Sequence, residues 1–269
     1  MARRTRAPSP PPAFFLEHPP GPTPRLFPGE DEHATRVLRL EPGALLVGLD
    51  GRGKRIPLRI RSVARTGIEL EAAGPPELEP APGEEGSALP WLEVVVSWPR
   101  KNRVEDMVGR LVQLGAACIR PLAARQRGPE PVPDHASERL QRVAREACKQ
   151  SGRTWLPELA AELTPAELIS ARREGAISVL DPSAGLPFDS WLRSLTPSPL
   201  GLGTRSRPIV LVIGPEGGFT DEERNLFQDA GASLVWLGPH VLRVETAAEA
   251  AVAVAGAVHA RRPASTLAS

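Results

Sequence analysis

Residues 208–223 read PIVLVIGPEGGFTDEE. An unbroken apolar run, Ile209 to Ile213, stops at Gly214. A run of that length bounded by turn residues predicts a strand buried on both faces. Thr220 followed by Glu223 forms a capping box, so a helix should start at once. The stretch is therefore one strand–loop–helix unit with Gly214, Gly217 and Gly218 in its loop. Glycine-rich turns of this kind commonly hold phosphate. This one has neither the lysine of a P-loop nor the spacing of a dinucleotide fingerprint. It also carries Glu216, which would repel a pyrophosphate.

Moving outward, SLVWLG (233–238) is a further apolar strand that opens a second Gly-Pro loop, GPHVLRVET (238–246). Two such loops at the carboxyl ends of neighbouring strands make a crevice, where open α/β sheets bind ligands. A carboxylate there suits a ligand with hydroxyls or a positive charge. S-adenosylmethionine has a ribose and a sulfonium and no phosphate. Glycines that serve only tight turns would explain the loop equally. The last helix, AAEAAVAVAGAVHARR (247–262), has small residues on its buried side. Such a face can lie close to a sheet, another helix or a second subunit.

Upstream, strands and helices alternate from residue 91. WLEVVVSW (91–98), CIRPL (118–122) and AISVLD (176–181) are strands. KNRVEDMVGRLVQLG (101–115) is a helix with Val104, Met107, Val108, Leu111 and Leu114 on one face. Asn102 and Glu105 suit its N-terminus, and Gly115 suits its stop. SERLQRVAREACKQSG (137–152) is another, with Leu140, Val143, Ala144, Ala147 and Cys148 inward and Gly152 at its end. Thr164-Pro165-x-Glu167 starts a third. Apolar strands separated by helices predict a parallel sheet covered on both faces. The fold class is α/β, with this domain spanning residues 91–262.

Residues 25–73 predict a small β-rich unit. HATRVLRL (33–40) makes a helical turn or two, a strand runs from Ala44 to Leu49, and Asp50-Gly51 signals a hairpin. RIPLRIRSV and GIELEAA continue the alternation. Arg52, Lys54, Arg55, Arg59, Arg61 and Arg65 lie between Gly51 and Gly67 with no acidic residue among them. This is either a solvated strand face or a nucleic-acid contact surface. Alternation puts Arg59 and Arg61 on one side. Residues 74–90, rich in Pro, Gly and Glu, are a linker at the domain boundary. Residues 1–24 are a mobile Pro-rich tail without the apolar core of a secretory signal, and residues 263–269 are a C-terminal tail.

Composition narrows the class further. No stretch approaches the roughly 20 apolar residues of a membrane helix. Cys118 and Cys148 show no metal-ligand spacing, so they read as buried thiols in a reducing cytoplasm, with no metal expected. The net charge of +1 rules out a polycation. The positive charge is nearly all arginine; the lysines are Lys54, Lys101 and Lys149. Arginine can grip phosphate bidentately and stack on bases.

IGPEGGFTDEE together with LGPHVLRVETAAEAA closely resembles the two signature loops of the RsmE family. These are SPOUT-superfamily methyltransferases that use S-adenosylmethionine to methylate N3 of a uridine in 16S, small-subunit ribosomal RNA. HATRVLRLEPG resembles the start of that family's PUA-like barrel. RVEDMVGRLVQLGA and ERLQRVAREACKQSGRTWLPE resemble its other characteristic segments. The resemblance implies a SPOUT-type parallel sheet with a deep trefoil knot, preceded by a PUA-like β-barrel that binds RNA. Nothing in composition or periodicity would suggest a knot. It further implies an obligate cytoplasmic homodimer, joined through the C-terminal domain, acting on 16S rRNA or the small ribosomal subunit. Close alternatives are a knotted methyltransferase with another RNA target and a non-catalytic RNA-binding protein on the same scaffold.

By the same resemblance, the cofactor lies among Leu180; Ile213, Gly214, Pro215, Glu216 and Gly218; and Leu237, Gly238, Val241, Leu242, Arg243 and Thr246. Backbone groups of Ile213, Gly214, Leu237 and Leu242 would read the adenine. Glu216 would contact the ribose or methionine, or else partner the following helix dipole. Arg243 is the candidate cation for the uracil oxygens once N3 loses its proton; it could instead clamp phosphate or pair with Glu245. Glu245 would orient Arg243 or accept the proton, yet Glu245-Thr246 also reads as the start of the Ala-rich helix. Arg36, Arg39, Arg59, Arg61, Arg103, Arg110 and Arg153 are the candidate RNA contacts. The sequence departs from the family pattern at Gln113, Ser151, His240 and Val244, the last two inside the cofactor and catalytic loop.

Overall fold

The structure, a computed structural model, describes residues 10–17, 23–64, 67–99, 101–127, 137–171, 174–195 and 201–259. The first nine residues of the expected tail, Arg65, the C-terminal tail 263–269 and the side chains of Lys101 and Asn102 lie outside the described residues. The chain divides into two units: Met1–Glu79 with Gly152–Trp155, and Pro80–Ser151 with Leu156–Ser269.

In the first unit, strand β1 (Ala13–Phe15) pairs in parallel with β2 (Leu45–Leu49). β3 (Lys54–Ala64) runs antiparallel to β2, to β4 (Gly67–Ala72) and to the short β5 (Glu77–Leu78). A helical turn α1 (Glu30–Glu32) continues as a π-helical stretch over His33–Val37. Phe14, Leu16, Leu26, Ala34, Leu46, Leu58, Ile60, Ile68 and Leu70 form the core.

β1 corrects the expectation of a mobile tail as far as residue 24. Phe14, Phe15 and Leu16 are buried, and Val47 donates its N–H to the Pro12 carbonyl. Proline cannot donate to a ladder, but an edge strand needs partners on one side only. The linker is also more ordered than its composition suggests, because β5 lies within residues 74–90 and the Glu79 N–H donates to the Gly53 carbonyl.

The hairpin expected at Asp50-Gly51 forms as a longer loop. Asp50 Oδ1 accepts the N–H groups of Arg52 and Lys54, and Gly51 and Gly53 take positive φ. Arg59 and Arg61 are exposed while Leu58 and Ile60 between and beside them are buried. That strand is not unopposed by acid, however: β4 sets Glu71 opposite Arg59, and Glu69 accepts from the Ser62 hydroxyl.

The second unit contains, in order, β6 (Leu92–Val96), α2 (Lys101–Leu114), β7 (Cys118–Pro121), α3 (Glu138–Ser151), β8 (Glu158–Leu159) and α4 (Pro165–Ser170). β9 (Ala176–Leu180), β10 (Leu186–Pro187), α5 (Phe188–Ser194), β11 (Ile209–Ile213), α6 (Asp221–Asp229), β12 (Ser233–Trp236) and α7 (Val244–His259) follow. The sheet order is β10-β12-β9-β11-β6-β7-β8, and every pairing is parallel. The chain thus inserts β11 between β9 and β6, then crosses to the far side of β9 for β12. α7 returns to pack on α2, α5, β6 and β11.

Val104, Met107, Val108 and Leu111 of α2 are buried as their spacing predicts. Val112 is buried too, while Leu114 is only half-buried. The buried arc is wider than one stripe because α2 packs against both α3 and α7. Each fully buried side chain of this kind contributes about 1.5–3 kcal/mol.

Candidate functional site

β9, β11 and β12 end level with one another: Leu180 is the register partner of both Ile213 and Val235. Their following loops therefore open on the same edge of the sheet. Together they enclose a cleft of about 340 Å³, within the ~300–1,000 Å³ usual for small-molecule sites. Leu180, Asp181 and Pro182 line it from the first loop, and residues 213–219 from the second. Leu237, Gly238, His240, Val241 and Leu242 line it from the third, with Arg224 of α6 and Val244 and Ala247 of α7.

The second loop is shaped by its glycines. A Cβ on Gly214 would sit 2.8 Å from the ring of Phe219, which is buried edge-on against Phe227. Gly218 has φ 76° and donates its N–H to the Pro215 carbonyl, a turn that a side chain would strain. The predicted capping box is present: Thr220 Oγ1 accepts the Glu223 N–H, and Glu223 Oε2 accepts the Thr220 N–H. Glu223 Oε1 accepts the Arg125 N–H at 2.8 Å, so one buried carboxylate ties two loops together. Glu216 is exposed at the cleft.

In the first loop, the Asp181 N–H donates to the Val235 carbonyl. Asp181 Oδ1 accepts the N–H and hydroxyl of Ser183 at 2.8 and 2.6 Å, and Oδ2 accepts from Arg224 Nη1 at 3.3 Å. Burial pushes this carboxyl up, but the Ser183 donors and the Arg224 guanidinium outweigh it, so it lies below the usual carboxylate range. Arg224 also donates to Asp221.

The catalytic candidates occupy different surroundings. Arg243 and Thr246 are exposed and do not line the cleft. α7 begins at Val244, so Glu245 and Thr246 lie inside its first turn instead of preceding it. The buried Val244 side chain anchors that start. Glu245 Oε1 accepts from Arg103 Nη1 at 3.1 Å and does not pair with Arg243; its Oε2 is buried without a partner.

Of the RNA candidates, Arg110 pairs with Glu249 at 3.2 Å, one helical turn beyond the Arg103–Glu245 pair on α7. Both α2 arginines therefore face carboxylates of α7. Arg36 pairs with Glu32 in solvent, and Arg39 adopts the left-handed conformation, φ 52°. Arg153 is half-buried.

Sequence reasoning missed Asp181, Pro182, Phe219, Arg224 and Ala247 as lining residues. Asp181-Pro182-Ser183 at a strand end does signal a local carboxylate turn. The Asp181–Arg224 pair spans too much sequence to leave any signal. Among the described residues no His, Cys, Asp and Glu group could hold a metal ion, and no helix is long and apolar enough to cross a membrane.

Residues 87–256, which carry all three loops, match the RNA methyltransferase domain family. The chain is 30% identical over 218 residues to ribosomal RNA small subunit methyltransferase E from Synechocystis, covering 81% of this chain and 67% of that one. The chain belongs to the RsmE family. The Mycobacterium bovis protein of the same name is 29% identical over 240 residues, covering 88% and 87% of the two chains. A methyltransferase-type structure from Legionella pneumophila, solved with bound S-adenosylmethionine, superposes with TM-score 0.76 at 26% identity, over 93% of this chain and 98% of that one. The RsmE relatives match 81% and 88% of this chain, so the assignment does not rest on the two glycine loops alone.

Proposed function

We propose that this chain is an S-adenosylmethionine-dependent methyltransferase that methylates N3 of a uridine in 16S rRNA. The observation that carries the reading is the three-loop cleft at the carboxyl ends of β9, β11 and β12 in an RsmE-family chain. Its residues fit this cofactor. The exposed Glu216 brings a negative charge, which suits a sulfonium and ribose hydroxyls and disfavours a phosphate, whereas Asp181 is neutralised by Arg224. Gly214, with no space for a Cβ, lets the backbone form the wall. When bound, the cofactor supplies an electrophilic methyl group on a positive sulfur.

The chain's own residues do the rest. Backbone groups of Ile213, Gly214, Leu237 and Leu242 hold the adenine, and Glu216 takes the ribose or methionine end. Uracil N3 must pass its proton to solvent, which leaves charge on N3 and both flanking carbonyl oxygens. Arg243 stabilises that charge, and alignment of the two reactants supplies much of the remaining acceleration. Glu245, held by Arg103, fixes the first turn of α7 and with it the backbone of Arg243. The target base must leave its stack to reach the methyl group, at a cost of a few kcal/mol. Exposed Arg36, Arg39, Arg59 and Arg61 grip the RNA.

The insertion of β11 between β9 and β6, with α7 returning to α2, supports a deep trefoil knot. The mixed sheet of the first unit supports a PUA-like barrel. The exposed Thr246, Ala253 and Ala257 of α7, with exposed Val241 before it, support a homodimer through the C-terminal domain. The cytoplasm is where such a substrate is met.

The test is mass-spectrometric mapping of modified uridines in 16S rRNA from cells with and without the gene. One N3-methyluridine should disappear in the knockout and return with the wild-type gene. Its persistence would overturn the assignment.

A further inference from the structure

We infer that Arg224 recognises the α-carboxylate at the methionine end of the cofactor, with Asp181 as its positioning residue. This rests on the cofactor reading above. The aminocarboxyl end of S-adenosylmethionine carries a carboxylate, and a carboxylate leaving water needs charged or N–H donors. Among the described residues, Arg224 is the one arginine or lysine lining the cleft, and the other formally charged liners, Asp181 and Glu216, are acidic.

The two partners of Arg224 are unequal. Nη1 donates to Asp181, whose side chain is 6% exposed, and Nη2 donates to Asp221, which is 84% exposed. Asp181 is itself fixed by the Ser183 hydroxyl and N–H and by its own N–H on the Val235 carbonyl. The buried arm therefore sets the direction of the guanidinium from the end of β9. The Asp221 arm is a solvent-screened ion pair, the weak kind. A ligand carboxylate can take the place of Asp221 on the same donors, because Asp221, 84% exposed, loses little on turning to solvent. A planar fork of donors with one edge anchored and the other exchangeable suits carboxylate recognition.

Two ligands separate this role from a structural one. S-adenosylhomocysteine keeps the aminocarboxyl end; 5′-methylthioadenosine keeps the nucleoside thioether and lacks that end. In calorimetric titrations of the full chain, Arg224→Ala should weaken S-adenosylhomocysteine about ten- to a hundredfold. Binding of 5′-methylthioadenosine should stay within about twofold. Arg224→Lys should recover part of the loss, and Asp181→Asn should show the same split in smaller measure. An equal loss for both ligands would make the pair a structural tie between loop and helix, and no loss for either would remove Arg224 from recognition; both overturn the inference. If the unmodified chain bound neither ligand, the cofactor reading itself would fall.

Discussion

Arg243 and Glu245 are near neighbours in the chain and belong to different environments. Arg243 is exposed beside the cleft, free to meet a substrate, whereas Glu245 sits in the first turn of α7 against Arg103. A cation that stabilises charge only as it develops should affect turnover and not cofactor affinity. Arg243→Ala should therefore lower single-turnover methyl transfer by about 100-fold or more, with S-adenosylhomocysteine affinity nearly unchanged. An active Arg243→Ala variant would take this residue out of the mechanism. Gly214, Glu216 and Leu242 were legible as cleft residues because their loops announce themselves within a few positions. Arg103 was legible only as a basic residue; its engagement by Glu245 depends on how α2 and α7 meet.

Among elements, α6 is positioned more firmly than its length suggests. Its capping box is local, and the Glu223 carboxylate also holds the Arg125 N–H. Thr220→Ala removes a cap and should cost about 1 kcal/mol. Glu223→Ala also leaves the Arg125 N–H without its acceptor, which adds about 1–3 kcal/mol. Urea denaturation should rank the two variants in that order; a Thr220→Ala loss equal to or above that of Glu223→Ala would contradict the second role. The boxes at Thr164 and Thr220 could be read in advance because each is completed within one turn of chain. β8 and β10 could not, since two residues show no period. α5 follows Pro187 with no side-chain cap, so no start signal precedes it. β1 was hidden by the prolines that precede it, Pro10 to Pro12. The alternation of Arg59 and Arg61 was visible, but the opposing Glu69 and Glu71 become neighbours only when β4 pairs with β3.

For the whole molecule, α7 has two faces. Ala248, Ala251, Val252 and Ala255 are buried in the second unit, while Thr246, Ala253 and Ala257 are exposed. Small exposed residues let a symmetry-related helix approach closely, and a C2 contact uses the same patch twice. Ala253→Glu would place two like charges across such an axis. Light scattering should then show a dimer for the wild type and a monomer for the variant, with methyl transfer lost in parallel. A monomeric wild type, or a variant that stays dimeric, would contradict the homodimer.

The amino-acid sequence by itself determined the α/β class, the helix starts and the two glycine loops, because buried strands, caps and tight turns depend on residues close along the chain. Only the tertiary structure decided that β11 lies between β9 and β6, that β1 joins the first unit and that Arg103 faces Glu245. It alone brought Asp181 to Arg224 at the cleft. Those outcomes follow from strand order and packing between distant segments, where each residue's role is set by neighbours that the local chain does not specify.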